Sequence, residues 1–360
     1  MRNVALIAAA LAVVVACGGE EPKPVAPPPP PTDTAPPPPP PPPPEPPKPS
    51  LADMEKADLG AALDGLNGHD AKKFASVYAD DGVIAAIGLQ EVRGKDAIEK
   101  NMQEWFDTFK DIKLGFSRVW AKNDTMVIEW VINGKHHGEL FGVKGTEQPI
   151  GHYGLSLVTF TPDGKVARED RYGELGAVMT QVGGSKAKPR PIPSVPAAPD
   201  TFTGGNADTE AKNVELAKSA LASLEPKGEA KFLGLLTDDI EHDGLFALET
   251  TKGKDEAKKF HKAFTTAFPD AKFDVSRAWG FGDDWVIVES MLKATQKGPL
   301  GPIGATKRPI AIHIADVFKI KDGKIARVWT YQNSLELQEQ LGLFDVKAPG
   351  TIPATPPAKK

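Results

Sequence analysis

Apolar and polar positions form a helix-then-strands pattern that occurs twice along the chain. The clearest helical stretch is Lys95–Phe109, which carries one apolar stripe at three- and four-residue spacing: Ile98, Met102, Trp105, Phe106 and Phe109. Such a stripe predicts a helix lying on a sheet. Four strand-like segments joined by polar turns follow it, and we expect them to pair antiparallel: Lys113–Ala121, Thr125–Ile132, Gly151–Thr161 and Val166–Tyr172.

Further helices are predicted before and after this unit. Two helices precede it, Leu51–Leu66 and Ala71–Tyr78, and Asp70 is the predicted N-cap of the second helix. Asp80-Asp81-Gly82 is predicted to interrupt the regular structure after this helix. Glu174–Val182 is predicted to close the unit with a short terminal helix.

The same order of elements returns 159 positions later. The matching pairs are Gly94 and Gly253, Ser117 and Ser276, Arg118 and Arg277, Trp120 and Trp279, Asp163 and Asp322, and Tyr172 and Tyr331. Two copies with so long a period indicate two domains rather than a solenoid.

The predicted fold class is α+β, with two tandem cones in which a curved antiparallel sheet is packed by helices. The predicted domains span residues 51–183 and 208–345, and residues 184–207 form a linker rich in proline and glycine. Residues 346–360 are predicted to be a disordered tail. The inside of each cone is expected to form a pocket for a small apolar ligand.

The N-terminus predicts export. A positively charged start precedes the uncharged apolar run Val4–Ala16, which is typical of a signal peptide. Residues 1–17 end in Val14-Val15-Ala16-Cys17, which resembles a bacterial lipobox, so Cys17 is the expected lipidation site. The proline-rich residues 18–50 then form an extended tether. We expect a membrane anchor in the cell envelope, on the outer membrane because Gly18 follows Cys17, at its periplasmic or its surface side.

Composition narrows the range of partners and chemistries. The net charge of −5 and the absence of a basic cluster interleaved with aromatic residues argue against nucleic-acid binding. No phosphate-binding glycine loop and no serine nucleophile elbow are present, and no cofactor is expected. His136 and His137 are adjacent and would point to opposite sides of a strand, so no metal site is predicted.

Several stretches resemble the SnoaL-like polyketide cyclase family: Gly94–Ile98, Phe109–Asp111, Gly138–Gly142, Asp322–Trp329 and Gln340–Gly342. The family shares the α+β cone of nuclear transport factor 2 and ketosteroid isomerase. The resemblance covers both copies and implies the cone fold. It leaves the activity open, because this group of proteins includes isomerases, cyclases, dehydratases, hydrolases and proteins without catalysis.

The resemblance also implies a catalytic carboxylate on a late strand. Asp316 is the one carboxylate in an apolar row of alternating residues, where burial would raise its pKa and suit it to general acid–base catalysis. Tyr331 would donate a hydrogen bond to the substrate oxyanion. At a constant spacing of 159, Leu157 is the counterpart of Asp316, so the first copy is expected to lack the carboxylate.

Five further residues are candidates for ligand binding, either by ring stacking or through a polar group: Trp120, His152, Tyr172, Trp279 and Trp329. Packing in the core or the sheet is the alternative role for the aromatic residues.

Three hypotheses follow. The first is a binding module for a small apolar or carbonyl-bearing molecule or for a partner protein. The second is a cyclase or isomerase that works in the second domain through Asp316. The third is that the two sheets pack on each other as a pseudo-dimer within one chain. The position of Asp316 relative to a pocket and to a second polar group distinguishes the first two.

Overall fold

A computed structural model describes residues 59–184, 188, 191–243 and 249–343 of the chain. The elements of the first half, including the linker strand, are α1 Gly60–Gly68, α2 Ala71–Ala75, β1 Tyr78–Ala86, β2 Val92–Arg93, α3 Lys95–Thr108, β3 Phe109–Lys122, β4 Thr125–His136, β5 Pro149–Phe160, β6 Val166–Gly173, α4 Leu175–Gln181 and β7 Asp200–Thr203.

The second half repeats this order. Its elements are α5 Ala207–Ala222, α6 Glu229–Gly234, β8 Leu236–Asp243, β9 Thr251–Lys252, α7 Lys254–Ala267, β10 Lys272–Phe281, β11 Trp285–Thr295, β12 Pro309–Lys321, β13 Lys324–Tyr331 and α8 Ser334–Gln340. The described residues of both halves lie within one compact unit.

Each half contains one mixed sheet. The strand order is β2-β1-β6-β5-β4-β3-β7 in the first domain and β10-β11-β12-β13-β8-β9 in the second. The four predicted strands pair antiparallel as expected. The predicted α+β class with two tandem domains is therefore confirmed. The sheets are not wholly antiparallel, because β1 pairs parallel to β6 and β8 pairs parallel to β13.

The first strand of each sheet was not predicted. A helix is predicted to end at Tyr78 and the regular structure to break at Asp80-Asp81-Gly82, yet Tyr78–Ala86 forms β1. The two aspartates are exposed where the register of the pairing with β6 shifts. Pairing with a strand more than 80 residues away outweighs the local turn propensity, and the local sequence does not reveal that partner.

The predicted linker also contains structure. Asp200–Thr203 forms β7, which pairs parallel with Arg118–Ala121 of β3 and becomes the edge strand of the first sheet. Phe202 of β7 stacks on Trp120, with 5.6 Å between ring centroids. This part of the linker is therefore integral to the first domain.

The long helices lie on the sheets as the apolar stripe predicts. Ile98, Met102 and Phe106 of α3 are buried in the core of the first domain. Gly94 and Gly253, which precede α3 and α7, have φ angles of 86° and 84°. Because residues with side chains rarely adopt such angles, both copies need glycine at this position.

A third apolar cluster takes residues from both sheets. Its buried members are Trp120, Val127, Leu155, Leu157, Tyr172, Phe281, Trp285, Ile287, Ala315, Val317 and Tyr331. Alternation along each strand separates this cluster from the domain cores, because Val158 and Phe318 belong to the cores while Leu157 and Val317 belong to the shared cluster. Each central sheet therefore has one face toward its own helices and one face toward the other domain.

Several predictions concern residues outside the described part of the chain. Cys17, the signal peptide, the proline-rich tether and the tail at 346–360 all lie there, so they remain predictions. Within the described ranges, no helix combines the length and the apolar character needed to cross a membrane.

Candidate functional site

The first domain encloses a cavity of about 120 Å³ between its helices and the inner face of its sheet. Most of the lining is apolar, including Leu66, Met102, Ile128, Trp130, Val158 and Phe160. Polar side chains contribute on the sheet side: Tyr78, His152, Ser156, Glu169 and Arg171. The cavity therefore offers a large apolar wall and a polar region.

The polar side chains form one hydrogen-bonded network around Glu169. Its carboxylate accepts hydrogen bonds from Ser156 Oγ at 2.6 Å, from Arg171 Nε and Nη2 at 2.8 Å each, and from the Tyr78 hydroxyl. Burial opposes ionisation of Glu169, but the charge of Arg171 and these hydrogen bonds outweigh it and lower the pKa of Glu169. A charged and fully paired carboxylate can orient a ligand but is a poor proton acceptor.

His152 lies on the same lining, as its candidacy for ligand binding requires. Its ring contacts Trp130 edge to face, with 5.4 Å between ring centroids, and its Nδ1 lies 3.0 Å from the Tyr153 carbonyl oxygen. Burial lowers the pKa of His152 to about 4. The ring is therefore neutral at physiological pH.

The second domain encloses a smaller cavity of about 60 Å³. Its lining is aromatic and aliphatic, with residues such as Phe260, Phe264, Phe318 and Val328, and three polar side chains contribute: His242, Asp316 and Thr330. Asp316 thus lines a cavity together with other polar groups, which is the position that the acid–base hypothesis requires.

Asp316 is held in a poorly solvated setting. Its residue is 4 % exposed, and Oδ1 accepts a hydrogen bond from Thr330 Oγ1 at 2.5 Å. Burial raises the pKa of Asp316 to about 7, although the hydrogen bond from Thr330 acts in the opposite direction. A carboxyl group with such a pKa can both accept and return a proton near neutral pH.

The counterpart of Asp316 in the first domain is Ser156, so the predicted match to Leu157 is wrong. Asp316 lies opposite Val288 and Thr330 in the sheet, and Ser156 lies opposite Ile128 and Arg171 in the same way. Phe160 pairs with Val166 across the first turn, and Ile320 pairs with Ile325 across the second, so the first turn is one residue longer and the spacing along β5 and β12 is 160. The first domain does lack a carboxylate at this position, and Glu169 of the neighbouring strand places one nearby.

The two predicted catalytic residues are not brought together. Thr330 faces Asp316, whereas the next residue, Tyr331, belongs to the cluster shared by the two sheets and donates a hydrogen bond to Glu129 of the first domain. Tyr172 occupies the equivalent place, and its hydroxyl donates to Glu289 of the second domain at 2.8 Å. Both hydroxyls are thus committed across the domain interface.

The predicted tryptophan contacts also lie at this interface. Trp120 is fully buried in the shared cluster, and Trp279 and Trp329 pack against it. The guanidinium carbon of Arg118 in the first domain lies 3.7 Å from the ring centroid of Trp329 in the second domain. Of the five predicted ligand-binding residues, His152 lines the first cavity, and the other four line neither cavity.

The histidine pair has other partners. His136 Nδ1 lies 3.1 Å from Thr146 Oγ1, and His137 pairs with Glu147. In the part of the chain that the structure describes, no three histidine, cysteine or carboxylate side chains gather into a potential metal site.

The sequence analysis missed several cavity residues: Tyr78, Glu169, Arg171, His242 and Thr330. The two-residue period along Arg168–Tyr172 and Arg327–Tyr331 could have predicted that Glu169, Arg171 and Thr330 face the cavities. Tyr78 and His242 could not be found in this way, because they lie on the unpredicted strands β1 and β8.

Comparison with known families agrees with this architecture. The model of the SnoaL-like polyketide cyclase family matches residues 58–182 and again residues 216–341. The chain therefore belongs to this family and contains its domain twice, each with the fold of nuclear transport factor 2. No curated protein sequence matches the chain significantly.

Solved structures with a similar fold include AclR from Streptomyces galilaeus, at 23 % identity over 39 % of this chain and 87 % of AclR, with a TM-score of 0.35. A protein of Jannaschia sp. CCS1, described as a SnoaL-like polyketide cyclase, covers 37 % of this chain and 95 % of its own at 19 % identity, with a TM-score of 0.33. An LEH-like epoxide hydrolase of M. tuberculosis covers 37 % and 90 % at 13 % identity, with a TM-score of 0.31. These likenesses do not bear on the activity.

Proposed function

We propose that the protein binds small, largely apolar molecules that carry a carbonyl or hydroxyl oxygen, and that the first domain is the main binding site. The observation that carries this proposal is the cavity of about 120 Å³ with its apolar lining and its polar network around Glu169. An apolar cavity of about 150 Å³ holds a benzene molecule. This cavity is somewhat smaller, so a ligand with at most one small ring and one oxygen is the expected size class.

Binding can be tested with cyclohexanone as an oxygen-bearing probe and methylcyclohexane as its apolar counterpart, by saturation-transfer NMR on residues 51–360. Ala62 lines the cavity and the adjacent Ala61 does not, so Ala62→Leu fills the cavity and Ala61→Leu is the matched control. We expect Ala62→Leu to weaken cyclohexanone binding at least about fourfold, since even one displaced methylene-sized contact costs about 0.8 kcal/mol. Equal binding by both variants, with unchanged folding, would contradict the proposal.

A second candidate function is general acid–base catalysis in the second domain, with Asp316 as the group that accepts and returns the proton. The specific support is the buried carboxyl on the lining of the second cavity, with a pKa raised to about 7 by burial. The reaction would be proton transfer at a carbon next to a carbonyl, as in cyclases and isomerases. Its test is solvent deuterium exchange into butanone, which Asp316→Asn should abolish.

We also propose that the two domains form a pseudo-dimer within one chain. The reciprocal bonds of Tyr331 with Glu129 and of Tyr172 with Glu289 support this, together with the shared apolar cluster. The soluble part, residues 51–360, is then expected to sediment as a monomer at micromolar concentration. A concentration-dependent dimer in analytical ultracentrifugation would count against it.

Export and anchoring through Cys17 complete the proposal, with the protein held in the cell envelope, on the outer membrane. The support is the signal-like N-terminus and the lipobox-like Val14–Cys17. Mass spectrometry of the mature protein should find a lipid-modified Cys17 as the first residue, and Cys17→Ser should release the protein from the membrane fraction. Recovery of an unmodified N-terminus from membranes would contradict the anchor.

A further inference from the structure

His242 is a polar residue on the lining of the second cavity, and it has no role in the acid–base function proposed above. It lies near the end of β8, opposite Val328 of β13, and its side chain lines the cavity. Its ring contacts Phe260 of α7 edge to face, with 4.8 Å between centroids. This contact restricts the orientation of the ring.

The sheet places His242 and Asp316 on the same face with one strand between them. Asp316 of β12 lies opposite Thr330 of β13, and two residues earlier on β13 Val328 lies opposite His242 of β8. Strands lie about 4.8 Å apart and rise about 3.3 Å per residue, so the two Cα atoms are separated by about 12 Å. Side chains that point into the cavity from both positions leave room for a small molecule between them.

The two copies of the domain differ at both positions. In the first domain, Ile84 lies opposite Glu169 as His242 lies opposite Val328, and Ser156 takes the place of Asp316. At these two sheet positions, an imidazole and a buried carboxyl therefore occur in the second domain but not in the first, and both line the second cavity. Burial affects the two groups differently. It raises the pKa of Asp316 to about 7, and it lowers the pKa of His242 to about 4, so the imidazole is neutral.

We propose that His242 is a second catalytic residue of the domain 2 site, with its imidazole N–H donating a hydrogen bond to the carbonyl oxygen of a small ketone whose α-carbon lies against Asp316. This inference rests on the acid–base function proposed above. A neutral imidazole can stabilise an enolate oxygen without transferring its proton to it, as a donor aimed at developing negative charge.

The proton and electron balance closes with these groups alone. The Asp316 carboxylate takes a proton from the α-carbon, the C–H electron pair forms the carbon–carbon double bond, and the carbonyl π pair moves to the oxygen that His242 holds. The protonated Asp316 then returns a proton to the same carbon or, in an unsaturated ketone, to the γ-carbon. Return of the proton to the γ-carbon is isomerisation and needs no other reactant. Hydrogen exchange at the α-carbon results when the proton on Asp316 is first replaced by one from solvent water.

The size of the cavity narrows the substrate class. Its volume of about 60 Å³ is about twice the share of one water molecule in the liquid, which is about 30 Å³. The expected ligand therefore places its carbonyl end, rather than the whole molecule, in this cavity, and butanone serves as a short probe of that class.

The first readout is the rate at which residues 51–360 exchange the α-protons of butanone for deuterium, followed by NMR. We expect His242→Phe, which keeps an aromatic ring but removes the N–H, to slow exchange about 100-fold, and His242→Gln, which restores a donor, to recover part of the rate. His313→Phe is the matched control, because His313 pairs with Glu336 and does not line the cavity. Exchange by His242→Phe at the wild-type rate would overturn the role of His242 and leave that of Asp316 standing.

The second readout does not require turnover. Butanone labelled with ¹³C at the carbonyl is bound to Asp316→Asn, and its carbonyl resonance is compared with that in the Asp316→Asn, His242→Phe double variant. A downfield shift that disappears in the double variant supports the hydrogen bond from His242, and identical shifts overturn it. If the wild type exchanges no faster than Asp316→Asn, the acid–base function fails, and the same shift still decides whether His242 binds the carbonyl.

Discussion

The hydroxyl of Tyr331 in the second domain donates a hydrogen bond to the carboxylate of Glu129 in the first. The equivalent Tyr172 donates to Glu289 in the opposite direction at 2.8 Å. Within each domain, the carboxylate is also paired with an arginine, Arg118 for Glu129 and Arg277 for Glu289. The duplicated residues thus form one contact twice, related by an approximate twofold symmetry.

Loss of one such hydroxyl should destabilise the whole unit. Tyr331→Phe leaves the buried Glu129 with fewer donors, and we expect the free energy of unfolding to fall by about 1–3 kcal/mol. Urea denaturation measures the change, and Tyr172→Phe should give a similar value because its contact is equivalent. Tyr153, which is 48 % exposed, supplies the control, and Tyr153→Phe should change stability by less than about 0.5 kcal/mol. Equal effects at Tyr331 and Tyr153 would argue against a stabilising interface.

Asp316 should make stability depend on pH in an unusual direction. Because its folded pKa of about 7 lies above the ordinary value of 3.8, the folded state holds more protons than the unfolded state between these two values. Its contribution is present below about pH 4 and is lost as the pH rises to about 7, a change on the order of 4 kcal/mol.

Asp316→Asn should remove this dependence. The variant is expected to match the wild type near pH 4 and to be more stable at pH 8, as measured by denaturation across this range. Asp239→Asn, at an exposed position of β8, is the control and should leave the profile unchanged. A wild-type profile that parallels the Asp316→Asn profile would show that Asp316 is not buried as described.

Breaking the ion pair between Glu169 and Arg171 in the first cavity should destabilise the folded protein. Glu169→Gln leaves the partly buried Arg171 without its counter-charge, and we expect a loss of about 3 kcal/mol in the free energy of unfolding, the lower end of the range for buried pairs. Glu91→Gln breaks a partly exposed pair with Arg168 and should cost about 0–1 kcal/mol. Thermal denaturation of the two variants compares them directly, and a Glu169→Gln protein as stable as Glu91→Gln would contradict the buried network.

The linker strand should contribute to stability. Phe202 packs between Trp120 and Trp285, at 5.6 and 4.9 Å between ring centroids, so Phe202→Ala is expected to cost about 2–4 kcal/mol. Thr201 is an exposed neighbour on β7, and Thr201→Ala should have little effect. Limited proteolysis within residues 191–203 should also accelerate in Phe202→Ala. Cleavage at one common rate in both variants would indicate that β7 does not hold the linker in place.

Local patterns determined much of the fold. The apolar stripe of Lys95–Phe109 and the alternation of the strands depend on periods of 3.6 and 2 residues, which short stretches of sequence carry by themselves. The repeated residues also established the duplication, and the motifs around Asp322–Trp329 established the family resemblance that the family match confirms. The alternating row around Asp316 pointed to the residue that lines the second cavity.

Tertiary structure decided which residues share a site. β1 and β8 exist because distant strands offer them hydrogen bonds, so Tyr78 and His242 reach the cavities through pairings that no local pattern encodes. A one-residue difference between two turns determined that Ser156, not Leu157, matches Asp316. Tyr172 and Tyr331 lie on the sheet faces that contact the other domain, and the sequence does not show which face of each sheet this is. Alternation separates two faces of a strand, but only packing determines whether a face meets a cavity or another domain.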